Sequence, residues 1–202
     1  VEVCPGTDKT QPSRKALELV SQPEVRQKEA VNWDFFMQIP DVNRAKLNFN
    51  LVRDAQLARP LFEFSGACSG CGETPYIKLL TQLFGDRALV ANATGCSSVY
   101  GGSLPTTPWA VNSEGRGPGW SNSLFEDNAE FGLGFLLTTE KQAQQAHELV
   151  SELREEIGAT LADVLLSADQ TDETGIQAQR QRVAELKAIC KAKGRSEEHT
   201  SE

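Results

Sequence analysis

The chain is predicted to be an α/β protein, a parallel sheet flanked by helices with a helical C-terminal extension, on three observations. Ala88-Leu89-Val90-Ala91 is a short apolar run, fitting a strand buried on both faces. Leu61-Phe62-Glu63-Phe64 reads as a second short strand. Between them lies a helical pattern with Ile77, Leu79, Leu80, Leu83 and Phe84 on its apolar face. Strand, loop, helix, strand, loop is the order of a βαβ unit, whose ligands bind outside the carboxyl ends of the strands.

Taken in order, residues 1–10 end in a Cys4-Pro5-Gly6 turn. Pro12 to Val31 is polar and helix-prone, with Pro23 placed to split it. Asn32-Trp33-Asp34-Phe35-Phe36-Met37 is an aromatic cluster closed by Pro40, expected to be buried against a neighbouring domain. Asp41 can cap a short helix ahead of an extended Leu47–Val52 run. The compact core begins at Pro60. Thr74 offers a capping hydroxyl, Pro75 suits the first helical position, and Gly85 stops the helix. Residues 99–123 are rich in glycine and proline, Pro105 among them, with Trp109 and Trp120 as anchors; so long a loop in a compact domain is usually functional. Glu126 onward returns to helix, from Phe131 to Ile157 as a pair or one long helix, then Thr160–Ala168 and Thr174–Lys193. The last helix carries Val183, Leu186, Ile189 and Cys190 on one face. The segments expected are 1–10, a linker with short helices at 11–59, the α/β domain at 60–158, a helical segment at 159–195, and a tail at 196–202. That tail, Ser196 to Glu202, resembles a translated sequencing-adapter remnant and is set aside. With no starting Met at Val1, it suggests a piece of a longer polypeptide.

Bulk composition narrows the function. A net charge of −8 argues against nucleic-acid or anionic-membrane surfaces, and no apolar run is long enough to span a bilayer. Five cysteines, an odd number concentrated in glycine-rich stretches, favour metal or redox use in a reducing, cytoplasmic compartment over a disulfide framework.

The chemistry sits in two cysteine-bearing turns. Gly66-Ala67-Cys68-Ser69-Gly70-Cys71-Gly72-Glu73-Thr74-Pro75-Tyr76 holds a C-x-x-C pair, and Thr94-Gly95-Cys96-Ser97-Ser98 adds a third thiol. Glycine there permits positive φ and close approach to a bulky ligand. Cys68, Cys71 and Cys96 can grip a metal ion or cluster, and a fourth ligand must come from elsewhere, since clusters and structural zinc are usually held by four. A thioredoxin-like dithiol and a non-catalytic zinc- or thiol-binding module are the competing readings. Against the dithiol, the acidic Glu73 is expected to raise a neighbouring thiol's pKa. Glu73 itself is either an acid placed favourably at a helix N-terminus or a carboxylate aimed at a cofactor. Cys190 reads as a buried small apolar residue.

The Gly66–Tyr76 stretch resembles pyruvate:ferredoxin (flavodoxin) oxidoreductase, as do Ala91-Asn-Ala-Thr-Gly-Cys-Ser-Ser-Val-Tyr-Gly-Gly102 and Asn122-Ser-Leu-Phe-Glu-Asp-Asn-Ala-Glu-Phe-Gly132. The likeness runs from about Pro60 to Leu137, and more loosely from Cys4. It implies part of a thiamine-diphosphate-binding fold preceded at 1–10 by the end of a ferredoxin-like domain. It further implies that Cys68, Cys71 and Cys96 ligate a proximal 4Fe–4S cluster, that Glu73 and Cys96 contact thiamine diphosphate, and that Cys4 ligates a cluster of the preceding domain. The Mg2+ ligands, the diphosphate-binding Gly-Asp-Gly segment and the fourth cluster cysteine of the family are not matched here; Gly85-Asp86-Arg87 is no substitute. The implied parent is a homodimeric cytoplasmic enzyme that converts pyruvate and coenzyme A to acetyl-CoA and CO2, passing electrons to ferredoxin or flavodoxin. This stretch alone is expected to be inactive.

Overall fold

A computed structural model describes residues 4–103 and 106–193; Pro105 and the tail at 196–202 lie outside the described residues. The chain divides into two compact units, 1–41 and 42–202.

In the first unit, Thr7 and Lys15 form an antiparallel bridge, and the Lys15 ammonium donates to the Cys4 carbonyl at 3.2 Å. The helix α1 spans Gln22–Gln38 with proline in its first turn, so Pro23 starts the helix rather than splitting it. No residue of α1 is buried. Trp33 and Phe36 pair at 5.8 Å between ring centroids, and Trp33, Phe35, Phe36 and Met37 are all exposed.

The second unit is α/β. After a 3-10 turn at Arg44–Lys46, capped by the Asn43 side chain rather than by Asp41, come α2 (Val52–Ala55) and α3 (Thr74–Phe84). They are followed by β1 (Leu89–Ala93), α4 (Cys96–Gly102), β2 (Gly119–Ser123) and the 25-residue α5 (Asn128–Glu152). Three helices close the unit: α6 (Arg154–Ile157), α7 (Ala159–Leu166) and α8 (Glu173–Ala192). The strands pair in parallel, from Leu89 opposite Gly119 to Ala93 opposite Ser123. The βαβ order is therefore present one step further along than the sequence suggests, as β1, α4, β2.

Leu61–Phe64 is not a strand. Phe62 makes a single antiparallel bridge to Trp109, flanked by Ala110 N–H to Leu61 O and Glu63 N–H to Pro108 O, each at 3.0 Å. Phe64 then turns to φ +58°, a left-handed value that ends extended pairing. β1 is also less covered than a doubly buried strand: Leu89 is exposed and the remaining four residues are half-buried.

Two small apolar clusters hold the unit. Leu61, Phe62 and Tyr100 are buried beside Trp109, with Phe62 edge-on to Trp109 at 4.7 Å and to Tyr100 at 6.0 Å. Ile157, Ala162 and Leu165 form the other, on α6 and α7. The most buried positions of α3 are polar. Thr81 Oγ1 accepts from Leu61 N–H at 3.0 Å and donates to Lys78 O at 2.8 Å, while Gln82 Nε2 donates to Ala58 O at 2.8 Å. Leu80 and Phe84, expected on the apolar face, are instead exposed.

Trp120 lies flat against the end of α4: a Cβ on Gly102 would come within 2.8 Å of its ring, and Trp109 Nε1 donates to Gly101 O at 3.1 Å. A methyl at Gly102 must push a large ring or the helix aside. Gly102→Ala is therefore expected to destabilise the second unit by about 1–3 kcal/mol, a typical overpacking cost, read as a lowered denaturant midpoint. An unchanged midpoint would show that Trp120 can move freely.

Candidate metal and cofactor site

The two cysteine turns are built differently. In the first, Cys71 N–H donates to Cys68 O at 3.0 Å, closing a four-residue turn with Gly70 third at φ +74°. Only glycine takes that position without strain. Cys71 then lies just ahead of α3. The helix begins with Thr74, and its N-cap is Glu73, whose side chain makes no capping bond, so Thr74 is not the cap. The backbone N–H groups of Thr74 and Glu73, with the Thr74 hydroxyl, hydrogen-bond to the Cys71 sulfur and hold its thiol below the ordinary range. The Glu73 charge pushes the other way, as expected, but is outweighed. Cys71 is thus biased toward the thiolate, the form that ligates metals.

The second turn is fixed by polar side chains at the carboxyl end of the sheet, where β1 runs into α4. Cys96 is the first residue of α4, not a loop residue. Gly95 N–H donates to Ser98 Oγ at 3.0 Å, and Ser98 Oγ donates to Asn122 Oδ1 at 2.8 Å. Asn92 Nδ2 donates to the same Asn122 oxygen at 2.8 Å. Asn122 Nδ2 donates to Thr94 Oγ1 at 3.0 Å, and Thr94 Oγ1 to Ser123 O at 2.7 Å. Asn92, Thr94 and Ser98 in this network each bond to β2 and so pin the turn to it. The sequence signal for it was the run of small polar residues at 92–98 and 121–123, which reads as loop when taken alone.

Tyr100, given no role by the sequence, feels groups of both turns. It is buried on α4 one turn past Cys96. Burial raises its phenol well above the ordinary range, and Glu73, Cys71 and Cys96 add to the effect. Glu73, Cys71 and Cys96 thus all act electrostatically on one buried side chain.

Cys68 and Cys96 are exposed, Cys71 is half-buried, and all five cysteines are free. Space around the turns is open: a Cβ on Gly66, Gly70, Gly72 or Gly95 would meet nothing within 4 Å. Among the described residues no three His, Cys, Asp or Glu groups are gathered closely enough to hold a metal ion. The donor chemistry fits an iron–sulfur group, with thiols, one biased toward the thiolate, in open turns; the cage itself is not closed in this conformation. Cys4 lies half-buried in the first unit, with its sulfur 3.9 Å from Gly6 O. Cys190 is half-buried on α8. Asp86 is engaged elsewhere, bonded to Arg180 at 2.6 Å and Arg87 at 2.7 Å.

No protein-family model matches the chain. Its sequence is 58% identical over 187 residues, 93% of the chain, to the pyruvate-flavodoxin oxidoreductase of Nostoc sp.. It is 52% identical over 189 residues to that of Rhodospirillum rubrum, and 51% over 156 residues, 76% of the chain, to the pyruvate:ferredoxin oxidoreductase of Moorella thermoacetica. The chain is homologous to one segment of the pyruvate-flavodoxin oxidoreductases. It spans 16% of the length of the Nostoc and Rhodospirillum relatives and 13% of the Moorella one. Among the described residues, no helix of this chain is long and apolar enough to cross a membrane.

The lowered Cys71 pKa gives a direct expectation. The native interactions favour the thiolate, so their stabilisation is present above the ordinary thiol pKa and is lost as pH falls through the depressed native value. Alkylation of Cys71, followed by peptide mass spectrometry against pH, should reach half its maximal rate below the midpoint of a free cysteine peptide. Thr74→Val, which removes the hydroxyl but keeps both N–H donors, should move the midpoint only part of the way back. A native midpoint at or above the free-peptide value would refute the hydrogen-bonding account.

Proposed function

We propose that this chain is part of an oxidoreductase that oxidatively decarboxylates pyruvate in the presence of coenzyme A, delivering acetyl-CoA, CO2 and electrons for flavodoxin or ferredoxin. The observation that carries the reading is identity above one half, across nearly the whole chain, to enzymes named for that chemistry. Cys68, Cys71 and Cys96 would supply three thiolates to a 4Fe–4S cluster, and Cys4 one thiolate to a cluster of the preceding ferredoxin-like domain. Glu73 and Cys96 would face thiamine diphosphate, whose Mg2+ ligands and diphosphate cradle come from outside this stretch. When bound, the thiamine supplies an electron sink for decarboxylation and the cluster a one-electron carrier.

The chain's own contribution is placement. The Cys68–Cys71 turn presents two sulfurs, and the amides at the start of α3 bias the second toward the thiolate. The Asn122 network holds the Gly95–Cys96 junction at the carboxyl end of β1. Tyr100, buried on α4 one turn past Cys96, would give that end of the site an aromatic, non-aqueous backing. A dimeric, cytoplasmic parent is part of the same proposal.

In the full-length enzyme, Cys68→Ala should lower the iron content and abolish flavodoxin or ferredoxin reduction, while Cys190→Ala should leave both intact. Iron and acid-labile sulfide analysis with a pyruvate-dependent reduction assay checks this. Full iron loading with unaltered turnover in Cys68→Ala would remove the cluster assignment. Zinc without labile sulfide in the parental protein would favour a thiol-bound metal module.

A further inference from the structure

Two buried side-chain polar atoms lack a hydrogen-bond partner among the described residues: Gln82 Oε1 and the Tyr100 hydroxyl. Gln82 is anchored through its other end, on Ala58 O. No acceptor reaches full hydrogen-bond geometry on the Tyr100 hydroxyl, although Glu73 acts on it as a hydrogen-bonding neighbour, and Tyr100 is only 6% exposed. A buried polar group left unpaired costs about 1–3 kcal/mol. Phenylalanine would pack edge-on against Phe62 equally well without that cost, so the hydroxyl does something the packing does not require.

Its surroundings say what. The groups acting on it are the Glu73 carboxylate, most strongly, and then the Cys71 and Cys96 sulfurs. A carboxylate is the strongest acceptor of the three, and Glu73 needs restraint: it is exposed, and as N-cap of α3 it makes no side-chain capping bond. Tyr100 offers a donor on a rigid, buried ring from a different helix. A bond between them would tie the first cysteine turn to the second.

We propose that Tyr100 is a positioning residue, its buried hydroxyl donating to the Glu73 carboxylate so that this acid is held in place for thiamine diphosphate. The proposal rests on the reading above that Glu73 contacts that cofactor. Tyr100 acts through Glu73 and does not itself touch the reacting atoms.

The test uses the full-length enzyme, depleted of thiamine diphosphate and titrated with it by fluorescence quenching, in Tyr100→Phe, Glu73→Gln and double variants. Tyr100→Phe should weaken binding by about tenfold or more, the worth of one hydrogen bond to a charged group, with iron content and melting temperature unchanged. The double variant should bind no more weakly than Glu73→Gln alone, since both changes break one interaction. Glu73→Asp, which leaves Tyr100 in place and withdraws the acid by one methylene, should also lose affinity. Unaltered affinity in Tyr100→Phe or Glu73→Asp, losses that multiply in the double variant, or iron lost in parallel with thiamine would overturn the assignment. If the parental enzyme itself binds no thiamine diphosphate, the functional reading falls and this proposal with it. That result is distinct from a silent Tyr100→Phe in an enzyme that binds normally.

Discussion

The parallel pairing of β1 with β2 is the constraint on which the site depends. Two five-residue strands, only partly buried, cannot be held by apolar burial alone, and an isolated strand pair is marginal in water. The deficit is met by side chains. Asn122 accepts from both Asn92 and Ser98 and donates to Thr94, so three residues flanking the end of β1 are pinned to one residue of β2. α5 packs on β1, with Gly132 close against Ala91. Because Ser98 also receives Gly95 N–H, the lock that holds the sheet together also fixes the entry to Cys96. Sheet closure and site geometry are one event.

The same preference for polar anchoring recurs at the other end of α3. Arg44 donates to Gln82 O at 2.7 Å and Leu83 O at 2.8 Å, satisfying carbonyls that the helix end leaves open. Its guanidinium also pairs with Glu173 at 3.0 Å and stacks over Phe49 at 4.6 Å. Glu173 opens α8, where a negative charge is favoured, and Arg44 sits where a positive one is. Asp86 is drawn into the same corner by Arg87 and Arg180, which hold its carboxyl below the usual range despite the opposing effect of burial. This explains why Gly85-Asp86-Arg87 is structural: its acid is occupied.

The helices from 128 to 192 were legible in the sequence because long, well-populated segments leave little alternative, and both cysteine turns announced themselves through glycine and spacing. What stayed hidden was hidden for physical reasons. Gly119-Trp-Ser-Asn-Ser123 carries almost no β signal, since its pairing is secured by amide and hydroxyl side chains that in sequence denote a loop. Leu61–Phe64 looks like a strand, but the positive φ at Phe64 limits it to one bridge. Thr81 and Gln82 look like the solvent side of α3; they are buried because the surface facing them presents open backbone groups at Leu61 and Ala58, which leucine could not satisfy. Tyr100 gives no signal, because its significance lies in what it faces across the fold.

These anchors connect to the chemistry in a definite order. Leu61 N–H and Ala58 O, by recruiting Thr81 and Gln82, set the position of α3. That position determines where the first amides of the helix point, and those amides lower the Cys71 thiol. The two polar contacts two turns further along the same helix thus help hold in place the helix whose first amides bias Cys71 toward the thiolate. Phe64, Tyr76 and Phe125, all more than 70% exposed, form no part of this chain of contacts. The polar anchors, by contrast, find their partners among the described residues. Within the segment, internal hydrogen bonds rather than apolar burial set where the two cysteine turns lie.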